Sequence, residues 1–245
     1  MSVRPRWKTR PYIEIPKVAQ PGLLDDVEVK YTGIFDDCVY TLSFDESSLM
    51  RNICKLYVPA GHIDLDPTYS IGRVWTEAEL PPPRLKFDLY PQTADTVQAD
   101  VRQLPLADES IASAYFDPPF LARSGDNTKS VMCRRFGVFE NMQELYETYR
   151  DALRELYRVL QPHGVLIFKC QDTSYDDRNY MVHAAVIYMA QQIGFYVADL
   201  FVLGRYNRAV WAKNIKRQYT ARKNHCYILV LRKESKKRTA LWEMY

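Results

Sequence analysis

Residues 111–125 read IASAYFDPPFLARSG, and a strand ends in the middle of them. Ile111, Ala112, Ala114, Tyr115 and Phe116 suit a pleated core strand, because apolar and aromatic side chains fill both faces of a covered sheet. Pro118 and Pro119 cannot continue it, since neither has an amide to donate. The strand therefore stops at Asp117 and delivers an acid, two prolines and the ring of Phe120 to one edge of a sheet.

The neighbouring segments repeat that ending. Alternating strands and helices follow one another from residue 45: a helix over 45–57, strands in HIDLDP (62–67), RLKFDLY (84–90), TVQADV (96–101) and IASAYFD, and a helix over 140–160. After them come a strand VLIFKC (165–170), a helix over 179–193 closed by Gly194, and strands YVADLFVL (196–203) and CYILVLRK (226–233). The long helix has apolar or aromatic residues at 142, 145, 146, 149, 152, 153, 156, 157 and 160, with Asn141 and Glu144 as its cap pair. Such alternation predicts a parallel sheet covered by helices on both faces, and these sheets bind ligands at the carboxyl ends of their strands. Asp66, Asp88, Asp100 and Asp117 stand at or near four successive strand ends. Asp favours turns, which accounts for one or two of them and less easily for four.

Bulk properties bound what that edge can do. The chain has 245 residues, 47% of them apolar, which is enough for one sizeable core with small additions. No apolar run approaches a membrane span, and the basic start MSVRPRWKTRPY lacks the apolar stretch of a secretory signal, so a cytoplasmic location and no membrane association are expected. Five cysteines without a CxxC pair suggest neither a disulfide framework nor a cysteine zinc site, and the four histidines add no metal signature. The expected metal set is none.

Charge is uneven. The formal net charge is +3, yet residues 203–238 hold twelve Lys or Arg against the single acid Glu234. A one-sided charge of this kind points to a polyanionic partner. Residues 1–44 are read as a proline-rich arm, 45–233 as the main domain with a basic loop at 204–225, and 234–245 as a basic tail.

These residues resemble the Rossmann-like, class I S-adenosylmethionine-dependent methyltransferases, in particular the amino-methyltransferases with a DPPF-type motif that modify adenine N6 or cytosine N4 in DNA. LDPTYSIG (65–72) is similar to the family's first motif at Asp66, Pro67 and Gly72. ADVRQLPLADESIASAYFDPPF (99–120) resembles the run into the catalytic motif, and LRELYRVLQPHGVLIFK (153–169) the passage from helix to fifth strand. The resemblance implies a doubly wound, mostly parallel seven-stranded sheet with an antiparallel last strand and helices on both faces.

It also implies roles. Asp117 and the carbonyl of Pro118 would accept the two N–H bonds of an exocyclic amine, Pro119 would stiffen the loop and Phe120 would stack on the base. S-adenosyl-L-methionine is the implied cofactor, with Asp66, Thr68, Tyr69, Ser70 and Gly72 at its methionine part, Asp88 at the ribose and Asp100 with Val101 at the adenine. The family's first loop normally carries two glycines, and the earlier position here is Ser70.

If the sixth strand is parallel and the seventh antiparallel, the basic loop lies at the same edge as the motif. Lys213, Lys216, Arg217, Arg222 and Lys223, interleaved with Tyr206, Trp211 and Tyr219, are expected to contact nucleic acid, as are Arg123, Arg134 and Arg135 after the motif. Cys170 reads as a packing residue. Lys169, Gln171 and Asp172 face the site without an assigned role, and His225 and Tyr227 are equally readable as base-stacking or core residues. The substrate stays open between DNA adenine, the preferred reading, and an RNA base. A catalytically degenerate nucleic-acid-binding module is a further alternative, for which Ser70 speaks. Little room remains for target recognition, which leaves a homodimer or a separate specificity partner open.

Overall fold

The structure is a computed structural model. It describes residues 39–122, 138–176, 178–205, 221 and 223–234, together with the backbone of 13–14 and 217–218. Contacts divide the chain into a main unit, 39–204 with 225–245, and a second unit, 1–38 with 205–224. Residues 39–44, read from sequence as part of the arm, thus fall in the main unit, and most of the basic loop falls in the second. In that second unit β1 (Ile13–Glu14) pairs antiparallel with β11 (Arg217–Gln218), and Arg205 N donates to Asn224 O at 2.8 Å.

The main unit is built on one sheet. Its strands are β2 (Leu42–Ser43), β3 (Leu65–Asp66), β4 (Leu85–Asp88), β5 (Val97–Gln98), β6 (Ile111–Phe116), β7 (Leu160–Cys170), β10 (Phe195–Gly204) and β12 (His225–Lys233), in the spatial order β2-β10-β12-β7-β6-β3-β4-β5. β12 alone runs antiparallel to both neighbours. The expected parallel sheet with an antiparallel last strand is therefore present. Among the described residues it carries one strand more than the expected seven, because Leu42–Ser43 pairs parallel with β10 at its outer edge.

Among the described residues four helices cover the sheet: α1 (Glu46–Tyr57), α2 (Arg73–Glu77), α3 (Met142–Val159) and α4 (Val182–Ile193). Their starts follow local chemistry. Asp45 accepts from the amides of Ser47 and Ser48 and caps α1. Asn141 accepts from Glu144 N, while the Glu144 carboxylate reaches back to Glu140 N, so α3 opens with the expected cap pair. α4 begins three residues later than expected, because Arg178–Tyr180 (β9) pairs with Thr173–Tyr175 (β8) as a hairpin. Among the described residues no helix is long and apolar enough to cross a membrane.

Alternation along the strands assigns each face. Ala114, Phe116, Leu166 and Phe168 pack with Leu145, Tyr149, Leu153 and Val186 of α3 and α4. Tyr115, Val165 and Ile167 pack with Leu49, Met50, Ile53 and Trp75 of α1 and α2. The chain runs outward from β3 to β5 and then crosses back to β6, which pairs with β3 through Leu65 and Ala114. The strand order thus reverses between β3 and β6. A crevice opens there, beyond the carboxyl ends, in doubly wound sheets.

Candidate active site

Two loops flank that crevice, residues 66–72 after β3 and residues 117–122 after β6. Asp66 is 2% exposed and anchors the first. Its Oδ1 accepts from Thr68 N at 2.9 Å and from Thr68 Oγ1 at 3.2 Å, and its Oδ2 accepts from Trp75 Nε1 at 2.9 Å. Burial pushes the Asp66 carboxyl up to about 7, although the bonds from Trp75 and Thr68 oppose the rise. Thr68 Oγ1 in turn accepts from Asp117 N at 3.0 Å and ties the two loops together.

The rest of the first loop turns through two left-handed residues, Ser70 at φ 52° and Gly72 at φ 67°. Ser70 keeps a conformation that glycine adopts without strain, at a cost of about 1–2 kcal/mol. Its amide donates to Asp88 Oδ2 at 2.8 Å, and Gln92 Nε2 donates to its hydroxyl at 3.0 Å. Gly72 has no such latitude, since a Cβ there would run into the Tyr69 ring. Lys86 lies 5.0 Å from the centre of that ring.

At the ends of the next strands the carboxylates are already engaged. Asp88 accepts from the amides of Ser70 and Tyr90, one on each oxygen, and keeps lone pairs for further donors. Asp100 takes Arg102 on both oxygens, with Nε 3.0 Å from each and Nη2 2.6 Å from Oδ2, and this guanidinium holds its carboxyl below the usual range. An adenine amine at Asp100 would have to share or displace Arg102. Val101, half-buried, packs against the core beside it. The donor and acceptor set therefore fits the methionine and ribose ends of the expected cofactor better than its adenine end.

The second loop is held on three sides. Asp117 Oδ2 accepts from Lys169 Nζ at 2.9 Å and from the Tyr115 hydroxyl at 3.3 Å, and among the described residues nothing bonds Oδ1. Pro118 is buried, while Pro119 and Phe120 are half-buried. The carbonyl of Pro119 accepts from the Tyr149 hydroxyl at 2.7 Å. Tyr149 is fully buried against Phe116 and Phe168, so the loop rests on a rigid aromatic cluster. Burial, followed by the charge of Asp117, raises Tyr115 well above the usual tyrosine range and keeps it a neutral donor.

Lys169 itself is 5% exposed and also reaches Glu46 Oε1 at 2.5 Å. Burial works against its charge, but the carboxylates of Asp117 and Glu46 outweigh that and hold it above the ordinary lysine range. Cys170 is fully buried, and burial drives its thiol far above the reactive range, which fits packing. On the other side of β7, Asp172 Oδ1 lies 2.7 Å from His183 Nδ1, whose ring stacks on Tyr227 at 4.0 Å, and His225 Nε2 lies 2.9 Å from the Tyr227 hydroxyl.

The structure thus brings Asp66, Thr68, Tyr69, Ser70, Gly72, Asp88 and Asp117–Phe120 to one edge, with Asp100 and Val101 at the outer end of the same row. Arg123, Arg134, Arg135, Lys213, Lys216 and Arg222 lie outside the described residues, as does the side chain of Arg217. Lys223 is half-buried and donates to Ala221 O at 3.5 Å. Sequence reading assigned no role to Lys169 and did not single out Glu46, Trp75, Tyr115 or Tyr149. The alternation of β6 and β7 was the available signal, because it puts Tyr115, Asp117 and Lys169 on one face.

Among solved structures, a candidate DNA modification methylase of Thermus thermophilus, solved with S-adenosyl-L-methionine, is 17% identical over 59% of this chain and 57% of its own, with a TM-score of 0.40. The 1,6-didemethyltoxoflavin-N1-methyltransferase of Burkholderia thailandensis, solved with S-adenosylhomocysteine, is 12% identical over 79% of this chain and 80% of its own, at 0.48. The chain spans only 55–57% of the length of the Thermus protein in its three structures. No curated protein matches the sequence. A family model described as DNA methylase, of the N6/N4 methyltransferase type, matches residues 62–244, and by that match across most of its length the chain belongs to the DNA methylase family.

Proposed function

We propose that the protein transfers a methyl group from S-adenosyl-L-methionine to the exocyclic amine of a nucleic-acid base, with adenine N6 in DNA as its target. The observation that carries this reading is the state of Asp117: at the crevice where the strand order reverses, one carboxylate oxygen is pinned and the other is left without a partner among the described residues.

An exocyclic amine is a weak nucleophile because its lone pair is delocalised into the ring. Asp117 Oδ1 and the Pro118 carbonyl can accept its two N–H bonds and turn the nitrogen lone pair toward the first loop. The bound cofactor supplies an electrophilic methyl on sulfur. With the cofactor bound, the amine nitrogen would take the methyl as the carbon–sulfur bond gave its electron pair to sulfur, and Asp117, already accepting one N–H, would take the excess proton or pass it to solvent. Placement decides the rate, since a misplacement of about 1 Å costs on the order of 100-fold. Thr68, Lys169 and Tyr149 fix the loop at the Asp117 amide, the Asp117 carboxylate and the Pro119 carbonyl. Phe120 offers a ring to the extruded base, whose removal from a duplex costs a few kcal/mol.

DNA is favoured by the family and by the seven Lys or Arg, with no acid, in residues 205–224. Retention of the left-handed turn at Ser70 supports a working cofactor loop over a degenerate one. Incubation with methyl-labelled cofactor and separate DNA and RNA pools, followed by nucleoside mass spectrometry, tests the reading. N6-methyladenine from DNA is expected, and label confined to RNA would overturn the choice of substrate.

A further inference from the structure

Lys169 occupies a position where an apolar residue would be ordinary. It follows Val165 and Ile167 on the β7 face buried against α1, and its neighbours on that face are core side chains. Burying an ammonium costs several kcal/mol, and a buried ion pair is often no more stable than a well-packed apolar replacement. Fold stability therefore gives no strong reason for a lysine here. Its two partners arrive from far apart in sequence, Glu46 from the first turn of α1 and Asp117 from the end of β6.

We infer, on the reading of Asp117 given above, that Lys169 is a positioning residue for the transfer: anchored by Glu46, its ammonium holds Asp117 by Oδ2 and so presents Oδ1 to the incoming amine. A carboxylate at a loop edge, with its side chain 28% exposed, would otherwise turn about its own bond. The Tyr115 hydroxyl at 3.3 Å is a weaker second hold on the same oxygen.

The test compares Lys169→Met, Lys169→Arg and Glu46→Gln with the unaltered protein in steady-state methyl transfer to DNA, in S-adenosylhomocysteine titration and in thermal melting. Lys169→Met should lose about 10- to 100-fold in kcat, the scale of a small misplacement, with KM for DNA and product affinity within about twofold of the unaltered protein. Lys169→Arg should recover part of the loss, and Glu46→Gln should show a smaller one. Turnover of Lys169→Met at the unaltered rate overturns the inference, as does a loss of turnover that tracks lost product affinity and a lowered melting temperature. Should Lys169→Met not fold, Glu46→Gln decides: a reduced kcat with unchanged product affinity supports the role, and an unchanged kcat overturns it. Asp117→Ala, run alongside, separates the two readings, because full turnover there would remove the methyl-transfer mechanism itself.

Discussion

Asp66 should leave a mark on the pH dependence of stability. Its carboxyl sits at about 7 in the folded protein against an ordinary 3.8, chiefly through burial. Between those values the folded state keeps a proton that the unfolded chain has lost, so stability falls as pH rises through the window and levels off above it. Below about pH 4 both states are protonated, the slope is zero and the stability is present in full. Denaturant titrations at pH 5 and pH 8 should therefore show a loss of up to a few kcal/mol, at about 1.36 kcal/mol for each pH unit crossed, that is absent from Asp66→Asn. An equal loss in the variant would place the proton elsewhere. Gly72 makes a second residue-scale prediction. Gly72→Ala should cost about 1–3 kcal/mol through its left-handed backbone and the Tyr69 ring. In a Tyr69→Ala background the collision is gone and only the backbone part, about 1 kcal/mol, should remain; an unchanged cost would remove the ring from the account.

The candidate site residues whose place was legible in the sequence are those positioned by a local pattern. Asp66, Asp88 and Asp117 end strands, and Ser70 with Gly72 stand in a short turn. Lys169, Glu46 and Tyr149 were not assigned because each acts across a long separation, 123 residues between Glu46 and Lys169 and 30 between Pro119 and Tyr149. A lone lysine in an apolar strand is a signal only once the neighbouring strand and its register are known.

Among the elements, α3 was readable from its apolar spacing and cap pair, and the structure adds why it matters to the site. Tyr149 packs among Phe116, Phe139 and Phe168 and spends its hydroxyl on Pro119 O. Tyr149→Phe keeps the ring and frees that carbonyl. It should cost about 0.5–1.5 kcal/mol, the net worth of one hydrogen bond to a half-buried acceptor, and lower kcat more than product affinity; an unchanged kcat would show that the carbonyl bond does not steady the motif. The short elements escaped sequence reading for a physical reason. Thr173–Tyr175 and Arg178–Tyr180 carry no apolar alternation, and Leu42–Ser43 becomes a strand only through its remote pairing with Val202 and Leu203.

At the scale of the whole molecule, the alternating pattern implied a doubly wound sheet, and the strand order then locates the crevice between β3 and β6. The division of the chain was less legible, because the arm is joined to a basic segment remote from it in sequence, which periodicity cannot reveal. If that segment meets phosphates, binding must depend on salt. Replacing Lys213, Lys216 and Arg217 by Gln should flatten the slope of log K against log salt by about 0.9 for each phosphate no longer neutralised, measured by anisotropy of a labelled duplex; an unchanged slope would assign the charge another role.

The most direct measurement of the central claim is the transfer itself, in the unaltered protein and in Asp117→Ala, with labelled S-adenosyl-L-methionine, DNA as acceptor, and product affinity measured on both. The account predicts N6-methyladenine from the unaltered protein, none from Asp117→Ala, and S-adenosylhomocysteine bound by each. Label entering DNA equally from both proteins would contradict it.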